Sequence, residues 1–172
     1  MQSTQKKMIY AALFAALTFV ATSIIRIPTP GTSGYVHPGD AFVILGGILL
    51  GPFWGALAGG IGSALSDLLG GYVIYIPITF VIKGLAAFLV GYAFHHAFRQ
   101  VKKITFKVIA CGIISMLIVA LGYLLCESFL YGFGAALASF LPNCLQGLTG
   151  IIISSVLYPV ISRIPYVLRS DS

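Results

Sequence analysis

Long apolar runs separated by short segments rich in proline and glycine are the feature that most constrains the fold of this chain. One bilayer crossing needs roughly 20 apolar residues, and six candidate runs cover about residues 8–25, 40–50, 53–69, 77–98, 106–126 and 142–161. The predicted fold class is therefore an all-α membrane protein with six transmembrane helices, forming a single domain over residues 1–172. The second run is short for a full crossing, so it is either tilted, ends below the interface, or pairs with the third run as a hairpin.

Composition fits a lipid solvent and excludes several classes of function. The sequence is 59% hydrophobic and only 8% charged, whereas about a quarter of the residues in soluble proteins are charged. Six crossings leave no room for a sizeable extramembrane domain. The sequence has neither a G-x-x-x-x-G-K-[ST] loop nor a dinucleotide glycine fingerprint, so any ATP would be hydrolysed by another chain. No cofactor and no metal site is predicted.

The formal charge of +6 is explained by topology and does not indicate a nucleic-acid partner. With six crossings, both termini and the connection between the fourth and fifth runs lie on one side. Basic residues gather on the cytoplasmic side of membrane proteins. Eight of the ten cations fall in these three segments: Lys6, Lys7, Arg99, Lys102, Lys103, Lys107, Arg163 and Arg169. We therefore predict cytoplasmic N and C termini in a cell membrane of the bacterial type.

Polar side chains within the apolar runs predict a binding pocket. Ionisable groups at membrane depth need a partner, a cavity or a function. In this topology they lie near the outer face, with Lys83 roughly 9 Å deep at 1.5 Å per residue, while the inner halves of the helices are nearly all apolar. We predict a polar pocket above an apolar floor. The candidate ligand-binding residues are His37, Asp67, Tyr75, Lys83, Glu127, Asn143 and Gln146.

The sequence leaves a structural alternative open for each candidate. Asp67 and Lys83 either pair with each other as a bridge between helices or contact a ligand. Glu127, placed just after the fifth helix, is either a ligand group or solvated. Asn143 either caps the sixth helix or binds ligand. Gln146 lies one turn further along, so ligand contact or interhelical bonding is favoured over capping. Asp40 is predicted to be the N-cap of the second helix.

The aromatic residues near the outer face are equally ambiguous. His37, in the loop over residues 27–39, is either solvated or a ligand. Tyrosine at this level commonly forms an interfacial belt, but one or two rings can stack on a planar ligand. The tyrosines concerned are Tyr35, Tyr72, Tyr75, Tyr123 and Tyr131.

Small residues form a stripe along the first helix. Ala11 and Ala15 continue into Thr18 and Thr22 at helical spacing, and Ala12 lies beside them. Such stripes allow two helix backbones to approach closely in lipid. The stripe either packs inside the protein or docks on another membrane subunit.

In order and spacing, these features resemble the substrate-binding S subunits of energy-coupling factor (ECF) vitamin transporters. The resemblance covers most of the chain. It rests on Ala11 and Ala15, Gly39 to Ala41, Leu50 to Ala56, Ser66 and Asp67, Pro77 to Gly84 with Lys83, and Pro142, Asn143 and Gln146.

The resemblance implies a subunit that binds one vitamin or vitamin precursor near the outer face, under a lid formed by residues 28–39. It also implies that the stripe containing Ala11, Ala12 and Ala15 docks on a transmembrane coupling subunit, which is joined to two ATPase subunits. Pyridoxine or hydroxymethylpyrimidine is the first expectation for the ligand, followed by pantothenate or riboflavin. Thiamine is disfavoured because the single tryptophan, Trp54, falls at the cytoplasmic turn.

Two functions from other classes remain alternatives. A structural or assembly subunit would need no ligand and would tolerate substitution of Gln146. An intramembrane hydrolase using Asp67 or Glu127 would need a second acid or a histidine at the same depth.

Overall fold

The computed structural model describes residues 2–163, and the predicted anchor Arg169 lies outside the described residues. Five helices among these residues are long and apolar enough to cross a membrane. In chain order, the elements are α1 (Gln2–Ile24), β1 (Ile27–Pro28), β2 (Tyr35–Val36), α2 (Asp40–Gly70), α3 (Tyr75–Tyr92), a π-helical segment (Ala93–Ala97), α4 (Ile104–Tyr131) and α5 (Phe133–Ile161). The chain is thus a nearly all-helical, multi-pass membrane protein.

Helix α2 contains both the second and the third predicted runs. Gly51 interrupts it with non-helical backbone angles, φ 81° and ψ 179°, which are accessible to glycine because it lacks a Cβ. The arms on either side approach closely, since a Cβ added to Gly55 would lie 2.6 Å from the Cα of Gly47. In one straight helix these two residues would be about 12 Å apart. The element therefore folds back on itself at Gly51, in agreement with the hairpin alternative.

The π-helical segment after α3 satisfies a backbone group that this break leaves unpaired. Pro52 has no N–H to donate to the carbonyl of Ile48, four residues earlier. Ring nitrogen Nε2 of His95 lies 2.9 Å from that carbonyl oxygen. Because unpaired backbone groups are costly in lipid, this contact fixes the fold-back against the end of α3.

Helices α4 and α5 both extend beyond the predicted runs. Glu127 was expected after the fifth helix, but it lies inside α4 and is 2% exposed. Helix α5 begins at Phe133, nine residues before Pro142, so Asn143 lies inside the helix and does not cap it. Proline is tolerated within membrane helices because neighbouring groups satisfy the freed backbone, and this is why Pro142 was a misleading start signal.

Helix α2 forms the centre of the bundle and contacts α1, α3, α4 and α5. Its side chains Ile44, Leu45 and Ile48 are almost completely buried in the core. Large apolar side chains such as Leu69 and Phe129, exposed by 73% and 84%, instead face outward. An apolar exterior around a packed interior is what a lipid environment requires.

The loop between α1 and α2 lies over one end of this bundle. Strands β1 and β2 pair antiparallel, with Ile27 opposite Val36. The N–H of Thr29 donates to the carbonyl of Gly34 at 3.0 Å. The loop is therefore ordered, and it leads directly into Asp40 at the start of α2.

Candidate functional site

A small polar cavity lies beneath this loop, where α2 to α5 come together. Its volume is about 20 Å³, enough for roughly one water molecule. The loop forms one wall and all four helices contribute the others. Its lining residues are Thr29, Gly34, Tyr35, His37, Asp67, Tyr75, Thr79, Tyr123, Glu127 and Asn143.

Tyr35 connects the loop to the helical bundle. Its hydroxyl donates to Oδ1 of Asp67 at 2.7 Å, and its ring lies 4.5 Å from that of Tyr72, centroid to centroid. The guanidinium carbon of Arg26 lies 5.1 Å from the centroid of the Tyr35 ring. Burial raises the pKa of the Tyr35 phenol above its ordinary value, and Asp67 adds to this rise. The phenol therefore stays protonated and available as a donor.

His37 is buried and neutral. Only 8% of its surface is exposed, and the N–H of Gly39 donates to its Nδ1 at 3.1 Å, which requires that nitrogen to be unprotonated. Burial, reinforced by the positive charge of Lys83, lowers the pKa of His37 to about 3. The histidine thus adds no positive charge to the cavity at neutral pH.

A buried polar network lies beside the cavity. Lys83 forms an ion pair with Oδ1 of Asp40, and Nε2 of Gln146 donates to Oδ2 of the same carboxylate at 2.9 Å. Oε1 of Gln146 accepts from the backbone N–H of His37 at 2.9 Å. Helices α2, α3 and α5 are thereby joined to the loop through hydrogen bonds.

This network excludes one alternative left open by the sequence, the bridge between Asp67 and Lys83, and corrects the expectation for Asp40. Lys83 pairs with Asp40, not with Asp67, because the fold-back of α2 brings the start of this helix, as well as its end, alongside α3. Asp40 does not act as an N-cap: Gly39 occupies that position without a side-chain cap, and the Asp40 carboxylate is turned into the core. Of the alternatives for Gln146, interhelical bonding is the one observed.

Glu127 forms a second polar cluster in the cavity wall. The hydroxyl of Tyr75 donates to its Oε1 at 2.9 Å, and the hydroxyl of Ser139 donates to its Oε2. The hydroxyls of Thr79 and Tyr123 are bonded to each other at 2.8 Å. Glu127 is therefore held in place by partners from α3 and α5.

The structure brings together five of the seven candidate residues. His37, Asp67, Tyr75, Glu127 and Asn143 all line the cavity. Lys83 and Gln146 lie in the adjoining network. Four lining side chains were not predicted as site residues: Thr29, Tyr35, Thr79 and Tyr123.

The tyrosines and the threonines among these four residues differ in how far the sequence could have identified them as site residues. Two of them, Tyr35 and Tyr123, belonged to the tyrosines for which a belt or a ligand contact was left open. A threonine in an apolar run gives little signal, because its hydroxyl can bond to its own helix.

An apolar groove runs between α1 and the later arm of α2. Ala11, Ala12 and Ala15 line it, together with Trp54 and Ile61. Ala11 is also part of the buried core, and a Cβ on Gly62 would lie 2.4 Å from the carbonyl oxygen of Ala15. The stripe therefore serves internal packing on one side, while Ala12 is exposed.

Comparison with known proteins agrees with this architecture. The family model for the ECF-type riboflavin transporter S component matches residues 2–163. An uncharacterised protein of Pyrococcus woesei ("Uncharacterized protein in gap 3'region") is 36% identical over 144 residues, covering 84% of this chain and 93% of the relative. The thiamine precursor transporter HmpT of Lactococcus lactis subsp. cremoris (strain MG1363) is 29% identical over 159 residues, covering 92% of this chain and 89% of the relative. The chain belongs to the family of ECF-type riboflavin transporter S components, which are subunits of vitamin transporters.

Proposed function

We propose that this chain captures a small, water-soluble vitamin precursor in the cavity beneath the 27–39 loop and delivers it for ATP-driven uptake by a separate module. The observation that carries the proposal is the cavity itself. Asp67, Glu127 and Asn143, each less than 5% exposed, converge from three helices on one small cavity. Polar groups buried at membrane depth are costly, and for this reason they mark sites of binding or transport.

Ligand entry requires the loop to move. A cavity of about 20 Å³ is far smaller than the 300 to 1,000 Å³ typical of ligand sites. Three tyrosine rings line the cavity. One of them, Tyr35, belongs to the loop, and its hydrogen bond to Asp67 holds the loop on the bundle. Opening the loop exchanges the Tyr35 to Asp67 bond for contacts with ligand, so the same residues act as lid and as binding groups.

The ligand we favour is hydroxymethylpyrimidine or pyridoxine. Both are planar heteroaromatics with a hydroxymethyl group, and the cavity offers tyrosine rings for stacking and carboxylate and amide groups for hydrogen bonds. The relative HmpT, described as a thiamine precursor transporter, supports this class. Riboflavin follows because the matching family is described as riboflavin transporters. Pantothenate remains a further candidate.

We place the chain in the cell membrane with six crossings and cytoplasmic termini, counting the two arms of α2 separately. The basic residues near the N-terminal ends of α1 and α4 support this orientation by the positive-inside rule. Its partners would be a transmembrane coupling subunit and two ATPase subunits. The groove containing Ala11, Ala12 and Ala15 is the proposed docking surface.

Binding to the purified chain tests the proposal. Isothermal titration calorimetry with hydroxymethylpyrimidine, pyridoxine, riboflavin and pantothenate should show one-to-one binding of at least one compound. Asn143→Ala should weaken that binding by about 1 to 3 kcal/mol if its amide bonds the ligand. Thr149→Ala is the matched control, because this exposed hydroxyl of α5 bonds only to the carbonyl of Leu145. Binding of no compound in the panel would favour a structural subunit instead.

A further inference from the structure

One oxygen of Asp67 is buried and accepts no hydrogen bond of normal length from the described part of the protein, although the hydroxyl of Thr79 is near enough to act on the carboxyl group. The side chain is 3% exposed, and Oδ1 accepts the hydrogen bond from Tyr35. Within residues 2–163, Oδ2 has no hydrogen-bond partner. Leaving a buried acceptor unsatisfied lowers stability, and more so when the group is charged. Because Asp67 lines the cavity, a ligand can supply the missing donor.

The other carboxylate of the cavity does not share this property. Glu127 accepts from Tyr75 through Oε1 and from Ser139 through Oε2. Both of its oxygens therefore have partners before any ligand arrives. Glu127 is therefore a structural part of the cavity wall, whereas Oδ2 of Asp67 remains able to accept a hydrogen bond from a ligand.

The charge around the cavity is also one-sided. Two carboxyl groups line it, and no lysine or arginine from the described part of the chain does so. Lys83 is paired with Asp40, while Arg26 donates to the carbonyl and hydroxyl oxygens of Ser66. Both cations act on the cavity from behind its lining, with Lys83 Nζ 5.7 Å from the centroid of the Tyr123 ring and the guanidinium carbon of Arg26 5.1 Å from that of Tyr35. A ligand carrying a carboxylate or a phosphate would therefore find no cation in the lining to bond directly, and its lost hydration would be poorly compensated.

We propose that Oδ2 of Asp67 accepts a hydrogen bond from a nitrogen donor of the ligand, either an exocyclic amino group or a protonated ring nitrogen. The cavity then selects neutral or cationic nitrogen heteroaromatics and rejects acidic ones. The selectivity arises because an anion would face two carboxyl groups, and because a ligand without the donor leaves Oδ2 unpaired. This inference rests on the proposed function of the cavity and deepens it by assigning the ligand charge.

A pair of pyrimidines tests this role on the unaltered protein. The probes are 4-amino-5-hydroxymethyl-2-methylpyrimidine and the same compound without its amino group. Calorimetry should show at least about a 10-fold weaker affinity for the compound lacking the donor, because a hydrogen bond to a charged carboxylate contributes more than a neutral one. Equal affinities would overturn the assignment. Pantothenate binding more tightly than the aminopyrimidine would also overturn it, while leaving vitamin capture intact.

Substitution of each carboxylate then distinguishes a residue that bonds the ligand from one that only supports the cavity wall. Asp67→Asn keeps the shape and should reduce affinity for the amino compound by roughly 10-fold or more, while changing that for the desamino compound about twofold at most. Glu127→Gln should lower both affinities by a similar factor, since its partners are protein hydroxyls. Equal losses for the two ligands in Asp67→Asn would show that Asp67 acts only through the structure. If the unaltered protein binds no compound at all, the proposed function itself fails, which is a different result.

Discussion

Lys83 of α3 and Asp40 of α2 form an ion pair that is almost completely excluded from solvent, with 0% and 1% of their side chains exposed. Gln146 satisfies the second oxygen of Asp40. A pair of this kind is costly to separate, because either group alone would be left as an uncompensated buried charge.

Replacing Lys83 by methionine should therefore destabilise the protein strongly. The expected loss is about 3 to 5 kcal/mol, because Asp40 loses its counter-charge. Thermal unfolding in detergent measures it, with Lys102→Met as the control at an exposed lysine. The double variant with Asp40→Asn should recover part of the loss. If Lys83→Met unfolds like the control, the pair does not stabilise the bundle.

Gln146→Ala should loosen the loop from α5. The substitution removes the acceptor of the His37 N–H and one donor to Asp40, so about 1 to 3 kcal/mol of local stability is expected to be lost. Hydrogen exchange read by mass spectrometry should show faster exchange in the peptide containing His37, and Thr149→Ala should leave it unchanged. Unaltered exchange in Gln146→Ala would mean that other contacts hold the loop.

Closure of the loop should weaken in acid. Burial holds the pKa of His37 at about 3, whereas an exposed imidazole titrates near 6.5. Below that value the open state takes up a proton that the closed state does not, so closure is fully stable above pH 6.5 and loses about 2 kcal/mol at pH 5. The charged groups that act on His37 are Lys83, Asp40 and Arg26, of which only Asp40 favours protonation.

The measurement is loop protection against hydrogen exchange, corrected for intrinsic rates, between pH 7.5 and pH 5. In the unaltered protein, protection of the loop should decrease as the pH is lowered. In His37→Gln, which keeps a polar group but cannot titrate, protection should stay nearly constant. An identical fall in both proteins would assign the pH dependence to another group.

A bulky residue in the groove between α1 and α2 should block assembly without affecting ligand binding. Ala12 is the site of choice because it is exposed, whereas Ala11 is part of the core. Ala12→Trp should abolish co-purification with the coupling subunit and vitamin uptake, while calorimetry gives an unchanged affinity. Leu13→Trp is the control, since Leu13 is 51% exposed but does not line the groove. Normal uptake by Ala12→Trp would place the docking surface elsewhere.

The sequence determined the helical membrane architecture, the loop and the gathering of polar residues at one end of the bundle. Lipid leaves few solutions for an apolar chain, because every backbone group must be satisfied within the protein. A segment rich in proline and glycine between two apolar runs can therefore be identified as a loop from the sequence alone. The polar residues were equally visible, because each one inside an apolar run is costly.

Only the tertiary structure decided which of these residues meet. Asp40 and Asp67 are both acidic residues of α2, and nothing local distinguishes them as partners for Lys83, 43 and 16 residues away respectively. Because α2 folds back at Gly51 and α3 packs against both of its arms, Lys83 pairs with Asp40. Asp67 instead bonds to Tyr35 and lines the cavity. Sequence spacing fixes neighbours along one helix, whereas contacts between helices depend on crossing geometry and on close approaches such as that of Gly55 to Gly47, which only the assembled bundle defines.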